Sequence, residues 1–219
     1  VLDKQVEQML ALIDLTSLNE TDTPSSISLL CQKATTPKGV VAAVCISPAF
    51  VKQAAVLLNE SPIKIATVAN FPHGTNSLNQ VLYSIEQSIK DGAHEVDVVF
   101  PYSQYLAGEA LNIPNFVQSC KSVCGEQALL KVILETGAFS DMEMISDLSR
   151  EIIKNGADFL KTSTGKISTG ATLAAATAML LAIKEMTPVV NRVVGFKAAG
   201  GIRRIEEAVQ YVTLAKQIM

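Results

Sequence analysis

Two lysines end short apolar runs and lead into small polar loops. Lys161 closes Ala157-Asp158-Phe159-Leu160 and precedes Thr162-Ser163-Thr164-Gly165-Lys166. Lys197 closes Val193-Val194-Gly195-Phe196 and precedes Ala198-Ala199-Gly200-Gly201. A lysine at the end of a buried strand must be paired, neutral, or stretched toward water. On neighbouring strands, about 5 Å apart, two such ammonium groups repel. At an effective dielectric of about 20 the repulsion is several kcal/mol, on the order of two pKa units, so one amine is expected to be neutral at pH 7. A neutral lysine amine attacks carbonyls and forms Schiff bases. Lys161 is the stronger candidate; taken by itself it also reads as a residue that snorkels to solvent.

Asp97 lies in Glu95-Val96-Asp97-Val98-Val99-Phe100. Alternation puts Glu95 and Asp97 on one face of a strand, with Val96 and Val98 on the other. An acid among valines is seldom buried without a partner. It reads as half of a structural ion pair with a lysine, as a proton shuttle, or as the group that holds Lys197 charged. Two loops offer amide donors and a cation to a phosphate: Thr164-Gly165-Lys166, and Gly200-Gly201-Ile202-Arg203 at a helix start. A Gly-Gly pair is equally an ordinary strand-to-helix turn.

The elements that must hold these residues alternate along the chain. Nearly continuous apolar runs at 13–16, 40–46, 64–69, 95–100, 129–135, 159–162 and 193–197 read as strands of a parallel sheet covered by helices. Between them, Ser47-Pro48 marks a helix start and Ser140 with Glu143 a capping box. Val81, Ile85 and Ile89 form an apolar stripe, Gly125 and Gly156 end helices, and 171–185 is an alanine-rich helix. Repeated strand–helix units suggest an α/β fold, either a (β/α) barrel or an open doubly wound sheet. No glycine-rich dinucleotide fingerprint follows the first strand, which favours the barrel. Asp14, Cys45, Asp97, Lys131, Lys161 and Lys197 recur at or near strand ends, where a barrel builds its site. Seven strands are countable; after Arg203 a helix runs from 204 to the last residue.

The 219 residues suffice for one large core. With 48% apolar and 18% charged residues the composition is globular, and no uninterrupted apolar stretch is long enough for a membrane span. A net charge of −3 without basic runs argues against nucleic acid as the main partner. Cys31, Cys45, Cys120 and Cys124, with only His73 and His94, match no zinc spacing and read as reduced thiols of a cytoplasmic protein.

Seven segments resemble, in order, the class I, Schiff-base-forming deoxyribose-phosphate aldolase family. They are DLTSL (14–18), AAVCISPAF (42–50), IATVANFPHG (65–74), EVDVVFPY (95–102), LLKVILETG (129–137), GADFLKTSTGK (156–166) and VGFKAAGGIR (194–203). The resemblance implies a (β/α)8 TIM barrel, here one domain over 1–219 whose eighth strand and helix lie beyond the given sequence, at its C-terminal side. It implies a lyase of deoxyribose phosphate and nucleoside catabolism that reversibly cleaves 2-deoxy-D-ribose 5-phosphate to acetaldehyde and D-glyceraldehyde 3-phosphate. By position, Lys161 matches the Schiff-base lysine, Lys197 the second lysine that perturbs it, and Asp97 the acid/base aspartate. Asp14, Thr16, Cys45 and Lys131 match residues lining the substrate pocket, and Gly165, Lys166, Gly200, Gly201 and Arg203 lie in the phosphate loops. The family uses no metal or other cofactor; its partners are a sugar phosphate and aldehydes. Where the family usually has proline after the second lysine, this chain has Ala198. A sugar-phosphate-binding barrel without catalysis is the competing reading. A homodimer is left open, with Val51 and Leu57 as apolar surface candidates.

Overall fold

The computed structural model describes residues 2–219, with side chains from Val6 onward. Seven strands form one sheet: β1 (Asp14–Ser17), β2 (Ala43–Ile46), β3 (Lys64–Ala69), β4 (Glu95–Val99), β5 (Leu129–Ile133), β6 (Phe159–Lys161) and β7 (Gly195–Lys197). Each strand pairs in parallel with the next, so spatial order equals chain order. Helices separate them: α1 (Leu2–Leu10) before β1, then α2 (Pro24–Lys33), α3 (Val51–Leu57), α4 (Leu78–Lys90), α5 (Tyr102–Leu106), α6 (Ile113–Cys124), α7 (Met142–Lys154), α8 (Leu173–Val190) and α9 (Ile205–Ile218). A sheet of consecutive parallel strands with crossover helices curls toward a barrel. Here the curl carries the two edges toward each other: Lys197 on β7 reaches Asp14 on β1 at 2.8 Å. The molecule is thus a TIM-type barrel wall of seven strands, and among the described residues no eighth strand lies between β7 and β1.

The two faces of the sheet differ, as strand alternation demands. Outward residues such as Val44, Ile65, Val96, Val98, Leu130 and Leu160 are buried against the helices. The inward face of β2 and β3 carries the small apolar cluster Ala43, Cys45, Ala66 and Val68. On the other strands the inward positions include the charged residues Asp14, Glu95, Asp97, Lys131, Lys161 and Lys197. Space inside is allotted closely; a Cβ on Gly195 would fall 2.1 Å from the Phe159 ring.

Several local readings are corrected. Val40 belongs to a separate two-stranded hairpin, Thr35–Thr36 with Gly39–Val40, and not to β2. Val193 is 88% exposed because the chain turns at Asn191, in the left-handed conformation, and β7 begins only at Gly195. Helix α7 is capped by Asp141, whose side chain accepts from the Glu143 amide at 2.8 Å, not by Ser140. Ser47-Pro48 opens a 3-10 turn that leads into α3, with no side-chain cap. Val51 is no surface residue: it is buried in the main core, whereas Leu57 is half exposed. Helix α8, with 18 residues of mean hydropathy 1.5, is long and apolar enough to cross a membrane by length and composition. It is not an uninterrupted apolar stretch, since Lys184 and Glu185 fall within it. Its apolarity serves packing, since Ala175, Ala176, Met179, Leu180 and Ile183 are buried and α7 lies along it.

Candidate active site

Six charged side chains meet inside the barrel. Lys161 Nζ lies 2.6 Å from Asp97 Oδ2, and Lys197 Nζ lies 2.8 Å from Asp14 Oδ1 and 3.1 Å from the Leu12 carbonyl. Lys131 sits between both pairs, 3.0 Å from Asp14 Oδ2, 3.1 Å from Asp97 Oδ1 and 2.5 Å from Glu95 Oε2. The Asp97 Oδ1 contact has ion-pair distance but not hydrogen-bond geometry. Three cations and three carboxylates make the cluster neutral, which is how charges this deep are tolerated. Asp97 is wholly buried, Lys131 1% and Lys161 6% exposed.

Local sequence places them. Asp97 and Lys131 are register partners on β4 and β5, and Lys161 and Lys197 are register partners ending β6 and β7. The two lysines are therefore neighbours in the backbone, as the spacing predicts. Each ammonium group turns to its own carboxylate. Burial works against the charged form of Lys161, but Asp97 outweighs it and holds the amine above its ordinary value. A like charge that opposes this is Lys131. The expected neutral amine is thus replaced by a tight Lys161–Asp97 ion pair. The carboxylate paired with Lys197 is Asp14, not Asp97. Burial raises the Asp97 carboxyl, yet Lys131 and Lys161 bring it below the usual carboxylate range, and Lys131 with Lys197 do the same for Asp14. Lys131 is held well above its ordinary value, burial being outweighed by Asp97, Asp14 and Glu95.

Thr16 and Cys45, register partners on β1 and β2, occupy the same inward face. Thr16 is exposed, and its hydroxyl donates to the Asp14 carbonyl at 2.9 Å. Cys45 is buried, which pushes its thiol up to about 11 and leaves it a weak acid among the charges.

The two glycine loops come together above the cluster. A Cβ on Gly165 would lie 3.7 Å from the Gly200 Cα. Gly165, Gly200 and Gly201 have φ of +75°, +87° and +84°, a region that favours glycine. Among the described residues their amides donate no hydrogen bond. Lys166 Nζ donates to the Leu18 carbonyl at 2.7 Å, across the mouth of the barrel. Arg203 is exposed, and its amide donates to Glu207 Oε2 at 2.8 Å, as does that of Arg204 at 3.0 Å. Glu207 thus occupies the first free amides ahead of α9.

Four residues outside the expected set build the site. Glu95 is the third carboxylate on Lys131; its place on the Asp97 face was the available signal. Glu135, in the left-handed conformation at φ +58° just past β5, accepts from the Thr164 amide at 3.1 Å and from the Thr164 hydroxyl. Burial pushes its carboxyl above the usual range. The Thr162 hydroxyl both donates to the Ala199 carbonyl and accepts from the Ala199 amide, each at 3.0 Å, which locks one glycine loop to the other. Gly170 touches Gly200 so closely that a Cβ there would fall 2.2 Å from the Gly200 carbonyl oxygen. Backbone cannot yield as a flexible side chain can, so Gly170→Ala is expected to cost about 1–3 kcal/mol, read as a lower urea midpoint with unchanged m. Nothing local in the sequence marks Thr162 or Gly170, because both act on segments about thirty residues away.

The chain is similar to known aldolases over nearly its whole length. Residues 8–217 match the model of the DeoC/LacD family aldolases. The chain is 46% identical over 211 residues to the deoxyribose-phosphate aldolase of Agrobacterium fabrum, covering 96% of this chain and 80% of that enzyme. Among solved structures, a Coccidioides immitis protein assigned as a deoxyribose-phosphate aldolase superposes with a TM-score of 0.87 at 29% identity, covering 95% of this chain and 79% of that one. The deoxyribose phosphate aldolase of Aeropyrum pernix, described as tetrameric, gives 0.79 at 27% identity, covering 95% and 84%. With its match over residues 8–217 and a 46% identical relative along nearly its whole length, this chain belongs to the DeoC/LacD family of aldolases.

Proposed function

We propose that this chain is a class I aldolase that reversibly cleaves 2-deoxy-D-ribose 5-phosphate to D-glyceraldehyde 3-phosphate and acetaldehyde, with Lys161 as the nucleophile. The observation that carries the assignment to Lys161 is its 2.6 Å pairing with the buried Asp97 in a chain 46% identical to a deoxyribose-phosphate aldolase. Asp97 takes the Lys161 proton, and the freed amine adds to the C1 aldehyde of the open-chain sugar. Loss of water gives the protonated imine. A base removes the C3 hydroxyl proton, the C2–C3 bond breaks, and its electron pair passes to the imine to leave an enamine and D-glyceraldehyde 3-phosphate. Protonation at C2 and hydrolysis release acetaldehyde and return the Lys161 amine. Lys197, fixed by Asp14, faces the same interior and supplies a second proton donor. Thr16, Cys45, Asp14 and Lys131 shape the pocket. The free amides of Gly165, Gly200 and Gly201, with Lys166 and Arg203, receive the 5-phosphate.

Residues 1–219 act in this reading as one barrel domain. Four buried, unpaired thiols favour the cytoplasm. A homodimer is the assembly unit, with Val56 and Leu57 of α3 exposing apolar surface; light scattering at the monomer mass would remove it.

The test is a coupled assay for D-glyceraldehyde 3-phosphate from deoxyribose 5-phosphate, followed by borohydride reduction and peptide mass mapping. The expected result is turnover together with a reduced two-carbon adduct on Lys161 after incubation with acetaldehyde. Sugar-phosphate binding without turnover or adduct would establish the non-catalytic barrel instead.

A further inference from the structure

The mechanism above uses Lys161, Asp97, Lys197 and Asp14, but the cluster does not end there. Glu95, the first residue of β4, points into the same interior two residues below Asp97 and lies 2.5 Å from Lys131. Its side chain is 13% exposed, because it also lines a cavity of about 200 Å³ at the opposite, N-terminal mouth of the barrel. Lys64, His94, Glu126 and Leu129 complete most of that wall.

We propose that Glu95 is a positioning residue for the aldol cleavage: from the far mouth of the barrel it holds Lys131 between Asp14 and Asp97, and so keeps Asp97 available to Lys161. The inference rests on the Schiff-base reading of Lys161. Lys131 has three carboxylates within 3.1 Å, of which Glu95 is the nearest. Without Glu95 the whole charge of Lys131 falls on Asp14 and Asp97, the two groups that otherwise serve Lys197 and Lys161. Asp97 is then drawn from Lys161, and the interior changes from neutral to one net positive charge. Both effects make the Lys161 ammonium easier to deprotonate and Asp97 a weaker base. The groups facing Glu95 are Lys131 from β5, Asp97 from its own strand, Asp14 from β1, and Lys64, His94 and Glu126 at the mouth. None of the carboxylates among them can replace it on Lys131, since Asp14 and Asp97 already sit there and Glu126 lines the cavity wall.

The experiment compares the parent chain, Glu95→Gln and Glu95→Asp by the pH dependence of deoxyribose 5-phosphate cleavage. Glu95→Gln removes charge at constant size. Its acid limb of kcat/KM is expected about one pH unit lower, with kcat down roughly tenfold. Glu95→Asp keeps the charge, and with it the fold, but retracts the carboxylate by one methylene. Its limb is expected at the parent position with kcat down a few fold. A merely structural role would lower thermal stability and leave the acid limb of Glu95→Gln unmoved. An unmoved or raised limb in Glu95→Gln, or a parental kcat in Glu95→Asp, overturns the role. If only Glu95→Asp folds, its kcat decides. A parent chain that cleaves nothing overturns the aldolase reading and this inference together, whereas an active parent with unaffected variants overturns the inference alone.

Discussion

Lys161→Arg is expected to lower kcat/KM for deoxyribose 5-phosphate by about 10⁴-fold or more, the scale of losing a covalent nucleophile. Arginine is the informative replacement. It keeps a positive charge against Asp97, so the neutral balance of the interior survives, but its guanidinium is not deprotonated in proteins and does not form the imine. Lys161→Met would mix two effects, because it leaves Asp97 buried with Lys131 alone. The variant should unfold within a few degrees of the parent and show no reduced adduct at position 161 after acetaldehyde and borohydride. A surviving adduct on Lys197 or Lys131, with turnover retained, would move the nucleophile to another lysine of the same cluster. Both stand close enough for that result to be meaningful, since Lys131 shares Asp97 and Lys197 is the register partner of Lys161.

The second large effect is on stability. Lys131→Met is expected to destabilise the fold by about 3–5 kcal/mol, the cost of stranding buried charges by removal of a shared partner. Lys131 is, among the described residues, the cation that contacts all three of Asp14, Glu95 and Asp97, so its loss leaves three carboxylates sharing two lysines. The pH dependence distinguishes this cause from a packing defect. In the parent, the carboxyls of Asp14 and Asp97 are held below their ordinary value of 3.8. Their contribution is therefore full above that value and is lost only as the pH falls through the lower folded-state values. The folded-state pKa of Lys131 lies well above 10.5, so its contribution is complete below 10.5 and lost as the pH rises through the folded-state value. From these groups the parent has a plateau across neutral pH. Without Lys131 three carboxylates share two ammonium groups, and burial, opposed at Asp97 by Lys161 alone, favours the uptake of a proton. Relative to the parent, Lys131→Met should then gain stability from pH 7 to pH 5. Urea unfolding at the two pH values reads this directly. A loss below 1 kcal/mol, or a parental pH dependence, would show that Lys131 is not the counter-ion holding the interior together.

How far the site could be read in advance differs from residue to residue. Lys161 and Lys197 are legible because each ends a short strand before a glycine loop, and in a parallel sheet consecutive strands stay adjacent. Asp97 is legible as an inward residue by alternation alone. Its partner is not: nothing near Asp97 in the chain points to Lys161, 64 residues on, with Lys131 beside it. Asp14 and Lys131, 117 residues apart, meet only because the sheet curls and carries β1 round toward β5 across the interior. Glu135 escaped notice for a related reason. It follows β5 in a left-handed conformation and reaches a threonine in the next loop, an arrangement with no periodic signature.

The sequence by itself determined the seven parallel strands, the inward face of each, the two lysines at neighbouring strand ends, and the membership of an aldolase family through motifs spread over the chain. Those are properties of local pattern, since strand alternation and loop chemistry act over a few residues. Only the tertiary structure decided which carboxylate meets which lysine. Adjacency of Lys161 and Lys197 argued for a neutral amine; the curled sheet instead gives each lysine its own aspartate and sets Lys131 between them. The physical reason is that ion pairing inside a barrel depends on how strands from opposite walls are staggered. That stagger is fixed by closure of the whole sheet and not by any one segment of it.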